Sequence, residues 1–443
     1  MANAATSFHG VNKPVPKNTY QAKLLQKRSK LLGPSYRLFY QEPFSPIRGE
    51  GVWLYDGDGN QYLDVYNNVP SVGHCHPKVV AALSKQAGTL NTHTRYLHET
   101  VINYAEELLE TLPADIERLT LTCTGSEAND LALRIANFET GGRGIVVTNL
   151  AYHGGTLAVA EMSPSLGGGV ADHVRVIEAP DAYRRGAENL GVAFAADVRE
   201  AFEDLEAHGY KPSVFIFDSI FSSDGVLPGP AGFLKPAVKA AREAGALIIA
   251  DEVQPGFGRT GDAFWGFQRH DITPDIITMG KSMGDGHPIA GLAARSVILD
   301  GFGEKYRYFN TYGGNPVSCA AGSAVLNVIK EEKLQENAFE VGKYLRKELR
   351  QLAKKHEIIG DVRGAGLFTG LELVKSRETK TYASEEADQL VNGLHRKRVL
   401  ISRAGPGGNI IKVRPPLPFS RENASFFIEK VDEVLSEIRI PTQ

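Results

Sequence analysis

Short apolar runs, each closed by a turn or a charged residue, recur through the middle of the chain with room for a helix between them. Leu119–Cys123, Gly144–Thr148, Val214–Phe217, Ala246–Ala250, Ile276–Met279 and Ile289–Ala293 read as strands. Their hydrophobicity is continuous rather than alternating, which predicts burial on both faces of a parallel sheet. The alternation of strand and helix from about Tyr66 predicts a doubly wound α/β fold. Ahead of it, Tyr20–Leu32 carries Leu24, Leu25, Leu31 and Leu32 at helical spacing, with Lys23, Lys27 and Arg28 on a solvated face and Gly33-Pro34 as the stop. Residues up to about Pro16 read as disordered. Gly51–Tyr55 and Gln61–Val65 flank Asp56-Gly57-Asp58-Gly59 as a hairpin. After about Ser318 come helices with charged faces, such as Glu336–His356, and then mixed structure. The expected organisation is an N-terminal segment (1–65) that belongs with a smaller domain, a large domain (66–318) and a C-terminal small domain (319–443).

Composition narrows the function classes. The chain has 443 residues, 42% hydrophobic and 23% charged, as in an ordinary globular protein, and its net charge of −3 gives no footprint for nucleic acid or a membrane surface. Three cysteines, an odd and sparse set, argue against a disulfide framework and for a reducing compartment. The opening MANAATSFHGVNKP lacks the apolar core of a signal peptide, and no apolar run approaches the ~20 residues of a membrane helix. A cytoplasmic enzyme is expected.

Candidate chemistry sits at strand ends. Asp251 directly follows the run Ala246–Ala250, and Lys281 follows Ile276–Met279 and one glycine. Open α/β sheets bind ligands at the carboxyl ends of their strands. A lysine and a carboxylate so placed suit pyridoxal phosphate (PLP) chemistry. The amine forms the aldimine, and the carboxylate keeps the pyridine nitrogen protonated so that the ring can absorb carbanion charge. Either residue alone reads equally as a loop or capping residue. Thr124-Gly125-Ser126-Glu127 opens the helix Ala128–Phe138 and offers N–H groups, a hydroxyl and a positive dipole end to an anion. The bland alternative is an N-cap made by Ser126 and Glu127. Gly73-His74-Cys75-His76-Pro77 invites a metal reading, but no second ligand cluster stands at a suitable spacing and Pro77 marks the start of helix Lys78–Ala87. No metal is expected.

Ile249–Thr260 (IADEVQPGFGRT), Asp275–Gly284 (DIITMGKSMG), Asn310–Ala320 (NTYGGNPVSCA), Leu121–Leu131 (LTCTGSEANDL) and Ala151–Thr156 (AYHGGT) together resemble the class III aminotransferase family of PLP enzymes. The likeness runs from about Leu32 to the C-terminal helix. It implies the fold type I architecture: a doubly wound, mainly parallel sheet plus a smaller α+β domain built from both termini. It implies PLP held as an aldimine by Lys281, over Asp251, as the catalytic pair. It further implies that Gly125 and Ser126 hold the cofactor phosphate, that Tyr152 and Val253 lie against opposite ring faces, and that Gln254 meets the ring hydroxyl. Thr311 is implied to reach the phosphate of a partner subunit, which makes a homodimer the smallest active unit, within a tetramer if assembly goes further.

Asn67–Pro77, Leu90–Glu99, Pro180–Arg184, Phe264–Gln268 and Tyr308–Cys319 look like the ethanolamine-phosphate phospholyase branch, which also holds phosphohydroxylysine lyases. That likeness implies elimination of inorganic phosphate from ethanolamine phosphate, leaving acetaldehyde and ammonia, with Lys281 as general base on the Cα proton. The alternative is an ω-aminotransferase using the same Lys281. Either substrate is a small anionic amine. Arg414 matches the family's carboxylate-binding position, Arg37 lies in the N-terminal segment that borders the family's pocket, and Asn68, with Asn67, lies in the loop that enters it. An arginine fork suits a carboxylate or a phosphate. Arg95 and Arg184 stand in the branch-like stretches without an assigned role. Asp218 stands where the family usually has the Glu that, in some aminotransferases, pairs with an arginine; being one methylene shorter, it is not expected to form that gate.

Overall fold

The computed structural model describes residues 19–438. Its centre is a seven-stranded sheet of β4 (Arg118–Thr122), β5 (Gly144–Thr148), β6 (Val174–Ile177), β7 (Pro212–Phe217), β8 (Leu247–Asp251), β9 (Ile276–Met279) and β10 (Ala290–Ala294). An N-terminal meander of β1 (Pro46–Glu50), β2 (Trp53–Asp56) and β3 (Gln61–Asp64) precedes it, and β11 (Ile359–Ala365), β12 (Phe368–Leu373), β13 (Val399–Leu400), β14 (Ser402–Ala404) and β15 (Ile410–Val413) follow. The central order is β4-β10-β9-β8-β7-β5-β6. Strands β6, β5, β7, β8 and β9 run parallel, while β10 is antiparallel to both neighbours. Two antiparallel steps cancel, so β4 points the same way as β9. The carboxyl ends of β4, β5, β7, β8 and β9 therefore share one edge.

Strands β5, β7, β9 and β10 are buried at every position, as their uninterrupted apolar sequences require. The helix Gly125–Thr140 crosses one face, burying Ala128, Leu131, Ala132, Ile135 and Ala136. Asp251 is the last residue of β8 rather than the first beyond it, because it pairs in register with Thr278.

The two smaller sheets join the ends of the chain. Residue Leu63 of β3 pairs in parallel with Val399 of β13, completing the sheet β1-β2-β3-β13, and β11-β12-β15-β14 is antiparallel throughout. Two sequence expectations shift. The change of texture at Ser318 falls inside a continuous helix, Pro316–Glu331, which packs on helices Pro77–Ala87 and Glu99–Leu109. The helix Tyr20–Leu31 has no buried residue, and Leu24 and Leu31 are exposed along with Lys23 and Lys27. The stretch expected to be disordered lies outside the described residues. Among the described residues, no helix is long and apolar enough to cross a membrane.

Candidate active site

Five loops leave the shared edge and meet over it: Cys123–Ser126, Leu150–Gly155, Asp218–Val226, Glu252–Gln254 and Gly280–Lys281. They enclose a small inner cavity of about 100 Å³ lined by Gly125, Ser126, Tyr152, His153, Gly154, Asp218, Asp251, Val253, Gln254 and Lys281. An outer chamber of about 400 Å³ shares Tyr152, Gln254 and Lys281 with it and adds Tyr66, Lys412 and Arg414.

Lys281 follows an extended Gly280 and itself sits at φ 32°, in the left-handed region that side chains other than glycine seldom adopt. Its amine is pushed down to about 8, first by burial, then by the Arg414 guanidinium, with Asp251 and Asp218 opposing. A larger fraction is thus neutral near pH 7 than for an exposed lysine.

Asp251 is held on both oxygens. Its Oδ2 accepts from Asn129 Nδ2 at 2.9 Å and lies 2.7 Å from His153 Nδ1, while Oδ1 accepts the Val253 N–H at 3.1 Å. Asn129 is itself fixed, since its Oδ1 accepts from Thr278 Oγ1 at 2.7 Å. Asn129 and His153 were not legible as functional residues; the only trace was their place inside the two motifs flanking the site.

At the helix start, Thr124 is the cap. Its hydroxyl accepts the Glu127 N–H at 3.2 Å while Glu127 Oε2 accepts the Thr124 N–H at 3.0 Å. Ser126 is therefore not the N-cap; it sits in the first turn and its Oγ accepts the Gly155 N–H at 3.1 Å. A Cβ on Gly125 would come within 3.0 Å of Val253, and one on Gly154 within 2.8 Å of the Ser126 backbone. The glycines thus keep a narrow, N–H-lined cradle open between helix terminus and loop. With a lysine, a fixed carboxylate, the planar Tyr152 and this cradle on one cavity, the donor set fits PLP.

The substrate side differs from expectation. Arg414 is 7% exposed, its Nη1 donates to Asn68 Oδ1 at 2.7 Å and to Gln254 Oε1, and its guanidinium lies 4.4 Å from the Tyr66 ring centroid. Gln254 in turn donates from Nε2 to Ser222 Oγ at 2.7 Å. Arg414 Nε and Asn68 Nδ2 are buried donors with no partner among the described residues. Lys412, two residues before Arg414, is also 7% exposed, and burial followed by the Arg414 charge holds its amine well below the ordinary lysine value, with Asp218 pulling the other way. Sequence reasoning passed over Lys412, which alternation on a strand would have set on the Arg414 side of β15. Asp218 caps its own turn, accepting from the Ile220 and Ser222 N–H groups at 3.0 and 3.1 Å, and makes no bond to Arg414.

Arg37 lies apart from the chamber of its own chain. It is exposed, and the chamber is bordered by Phe39 instead. Arg95 lies over the Phe309 ring and Arg184 pairs with Glu372; neither enters the cavity. Thr311 is exposed, away from the cavity of its own chain. His74 bonds Asp64 at 2.7 Å, and His76 caps its helix and meets Glu332 at 3.0 Å.

The model of the family Aminotransferase class-III matches residues 40–435. The Drosophila melanogaster alanine–glyoxylate aminotransferase 2-like protein is 40% identical over 94% of this chain and 87% of its own. The Caenorhabditis elegans ethanolamine-phosphate phospho-lyase homolog 1 is 38% identical over 93% of each chain. Among solved structures, a phospholyase from Arthrobacter in complex with phosphoethanolamine superposes with a TM-score of 0.91 at 43% identity, covering 94% of this chain and all of the other.

Proposed function

We propose, from the premise that this chain belongs to the class III aminotransferase family of PLP enzymes, that it is a phospholyase which eliminates inorganic phosphate from ethanolamine phosphate or a close phosphorylated amine. The observation that carries this reading is the set of buried donors on the substrate side. Lys412, Arg414 and Asn68 converge beside Lys281, and two of their N–H donors lack an acceptor. Buried N–H donors without an acceptor, set beside the Arg414 guanidinium, suit an anionic ligand. The resemblance to the worm and Arthrobacter phospholyases points the same way.

PLP, when bound, would supply an electron sink for the substrate Cα–H bond. Lys281 Nζ takes the Cα proton, and Asp251 keeps the ring nitrogen charged. Lys412 and Arg414 hold the phosphate group. The Cβ–O bond breaks with its electron pair leaving on phosphate, and water hydrolyses the two-carbon enamine to acetaldehyde and ammonia. Gly125 and Ser126 would hold the cofactor phosphate, Tyr152 and Val253 would bracket the ring, and Gln254, bonded to Arg414, would meet its hydroxyl. A dimer fits the exposed apolar side chains near Thr311: Leu97 is 99% and Tyr312 71% exposed, more than an isolated surface favours. Cytoplasmic residence fits three free thiols.

The second reading, an aminotransferase, is favoured by the Drosophila relative and by Arg414, which suits a carboxylate equally. Incubation with ethanolamine phosphate and no keto acid separates them: a lyase releases phosphate and acetaldehyde through many turnovers, whereas an aminotransferase stops after one equivalent. Arg414→Ala should raise the KM for the phosphorylated amine by about tenfold to a hundredfold, the worth of a charge-assisted hydrogen bond of ~1.5–3 kcal/mol, while sparing a neutral amine. Equal effects on both amines would remove Arg414 from the phosphate site.

A further inference from the structure

Away from the cavity, one carboxylate gathers charge from separate parts of the fold. Glu372 on β12 is fully buried and accepts from Arg363 Nη1 at 2.7 Å, from Asn409 Nδ2 at 3.3 Å and from Arg184 Nη2. Arg184 comes from the short helix Ala182–Arg185 beside the large sheet, and its Nη1 also donates to the Lys380 carbonyl at 2.9 Å. Arg363, on β11, turns the rest of its fork across to the Asp218–Val226 loop. Its Nε donates to the Val226 carbonyl at 3.0 Å and its Nη2 to the Gly225 carbonyl at 2.9 Å.

That loop needs holding. Phe221 and Val226 have φ of 46° and 59°, a left-handed backbone that is costly for a bulky or β-branched residue. The loop also presents Ser222 Oγ to Gln254, whose Oε1 accepts from Arg414. On its other side Glu372 sits in a strand paired with β15, where Gly370 is opposite Lys412. One carboxylate thus lies between the loop that sets Gln254 and the strand that delivers Lys412 and Arg414.

We infer that Glu372 and Arg363 are a positioning pair for the anion cradle: they keep the Asp218–Val226 loop and β15 in the one arrangement in which Lys412, Arg414 and Asn68 face the same phosphate. The inference rests on the phosphate reading of that cradle. Neither residue touches substrate, and a buried ion pair of this kind costs desolvation that stability alone does not return. Its effect falls on geometry, where a 1 Å displacement weakens productive binding by about a hundredfold.

The test uses the PLP-loaded enzyme. Glu372→Gln should raise the KM for ethanolamine phosphate and the inhibition constant of inorganic phosphate together, by about tenfold or more, with full cofactor content and a much smaller change in kcat. Arg363→Lys, which keeps the charge opposite Glu372 but cannot span both carbonyls, should do the same and serves if Glu372→Gln fails to fold. Asp361→Asn removes only the outer partner of Arg363 (2.8 Å) and should leave both constants near wild type. A lowered melting temperature with both constants unchanged in Glu372→Gln and Arg363→Lys would overturn the inference. If Arg414→Ala also leaves both constants unchanged, the phosphate reading itself has failed; if Arg414→Ala raises them and the other two variants do not, only the positioning role has.

Discussion

Lys281→Ala should give a folded protein whose turnover is lower by about 10⁴-fold or more. On the proposed mechanism one change would remove the covalent anchor of the cofactor and a general base that by itself is worth about 10²–10⁴-fold. The fold survives because the side chain points into a cavity, and alanine meets the same backbone strain at φ 32° that lysine does. The amine is suited to both tasks by its surroundings: burial and the Arg414 charge push it down to about 8, so the neutral form needed for attack and for proton abstraction is accessible near neutral pH. Borohydride reduction followed by peptide mass analysis reads the result directly, since the cofactor adduct on the 281 peptide disappears in the variant. Turnover within tenfold of wild type would refute the role of Lys281.

Asp251→Asn is the second large effect, and the geometry says why the isosteric change is not mild. The oxygen that faces Asn129 Nδ2 and His153 Nδ1 must stay an oxygen, so the new amide NH₂ is forced toward the Val253 N–H, which now meets a donor instead of an acceptor. Val253 would have to shift, the Asp251 charge would be gone, and the cofactor's ring nitrogen would lose its proton partner. Losing one preorganised charge in a closed site costs about 10²–10³-fold, and kcat should fall by at least that while cofactor content holds. Rates near wild type with the cofactor bound would mean that the electron sink does not depend on Asp251.

How far the sequence carried depended on whether a residue's neighbours were local. Lys281 and Asp251 could be read because each ends an apolar run, and strand ends are where an α/β sheet keeps its chemistry. The antiparallel direction of β10 could not, since Ala-Gly-Leu-Ala-Ala is buried throughout and the same pattern serves either direction. Strand β6 escaped because it lies at the sheet edge, where Arg175 and Val176 are not buried, which breaks the apolar run. Lys412 gave no local signal; it is buried because β15 is pressed between β12 and β14, a fact of tertiary packing. Arg37 and Phe39 show the same dependence on packing: within three residues the segment passes from solvent to the border of the chamber. Glu372, Arg363 and Arg184 come together from distant stretches, and no local pattern announces such a cluster.

The parallel pairing of Leu63 with Val399 has a consequence for biosynthesis. The N-terminal meander emerges from the ribosome first, yet its third strand has no neighbour on one side until almost the whole chain has been made. An open edge of that kind recruits other nascent chains. A pairing this distant in sequence forms slowly, because the loop it closes is long. A chain truncated before Val399 would leave that edge of β3 open.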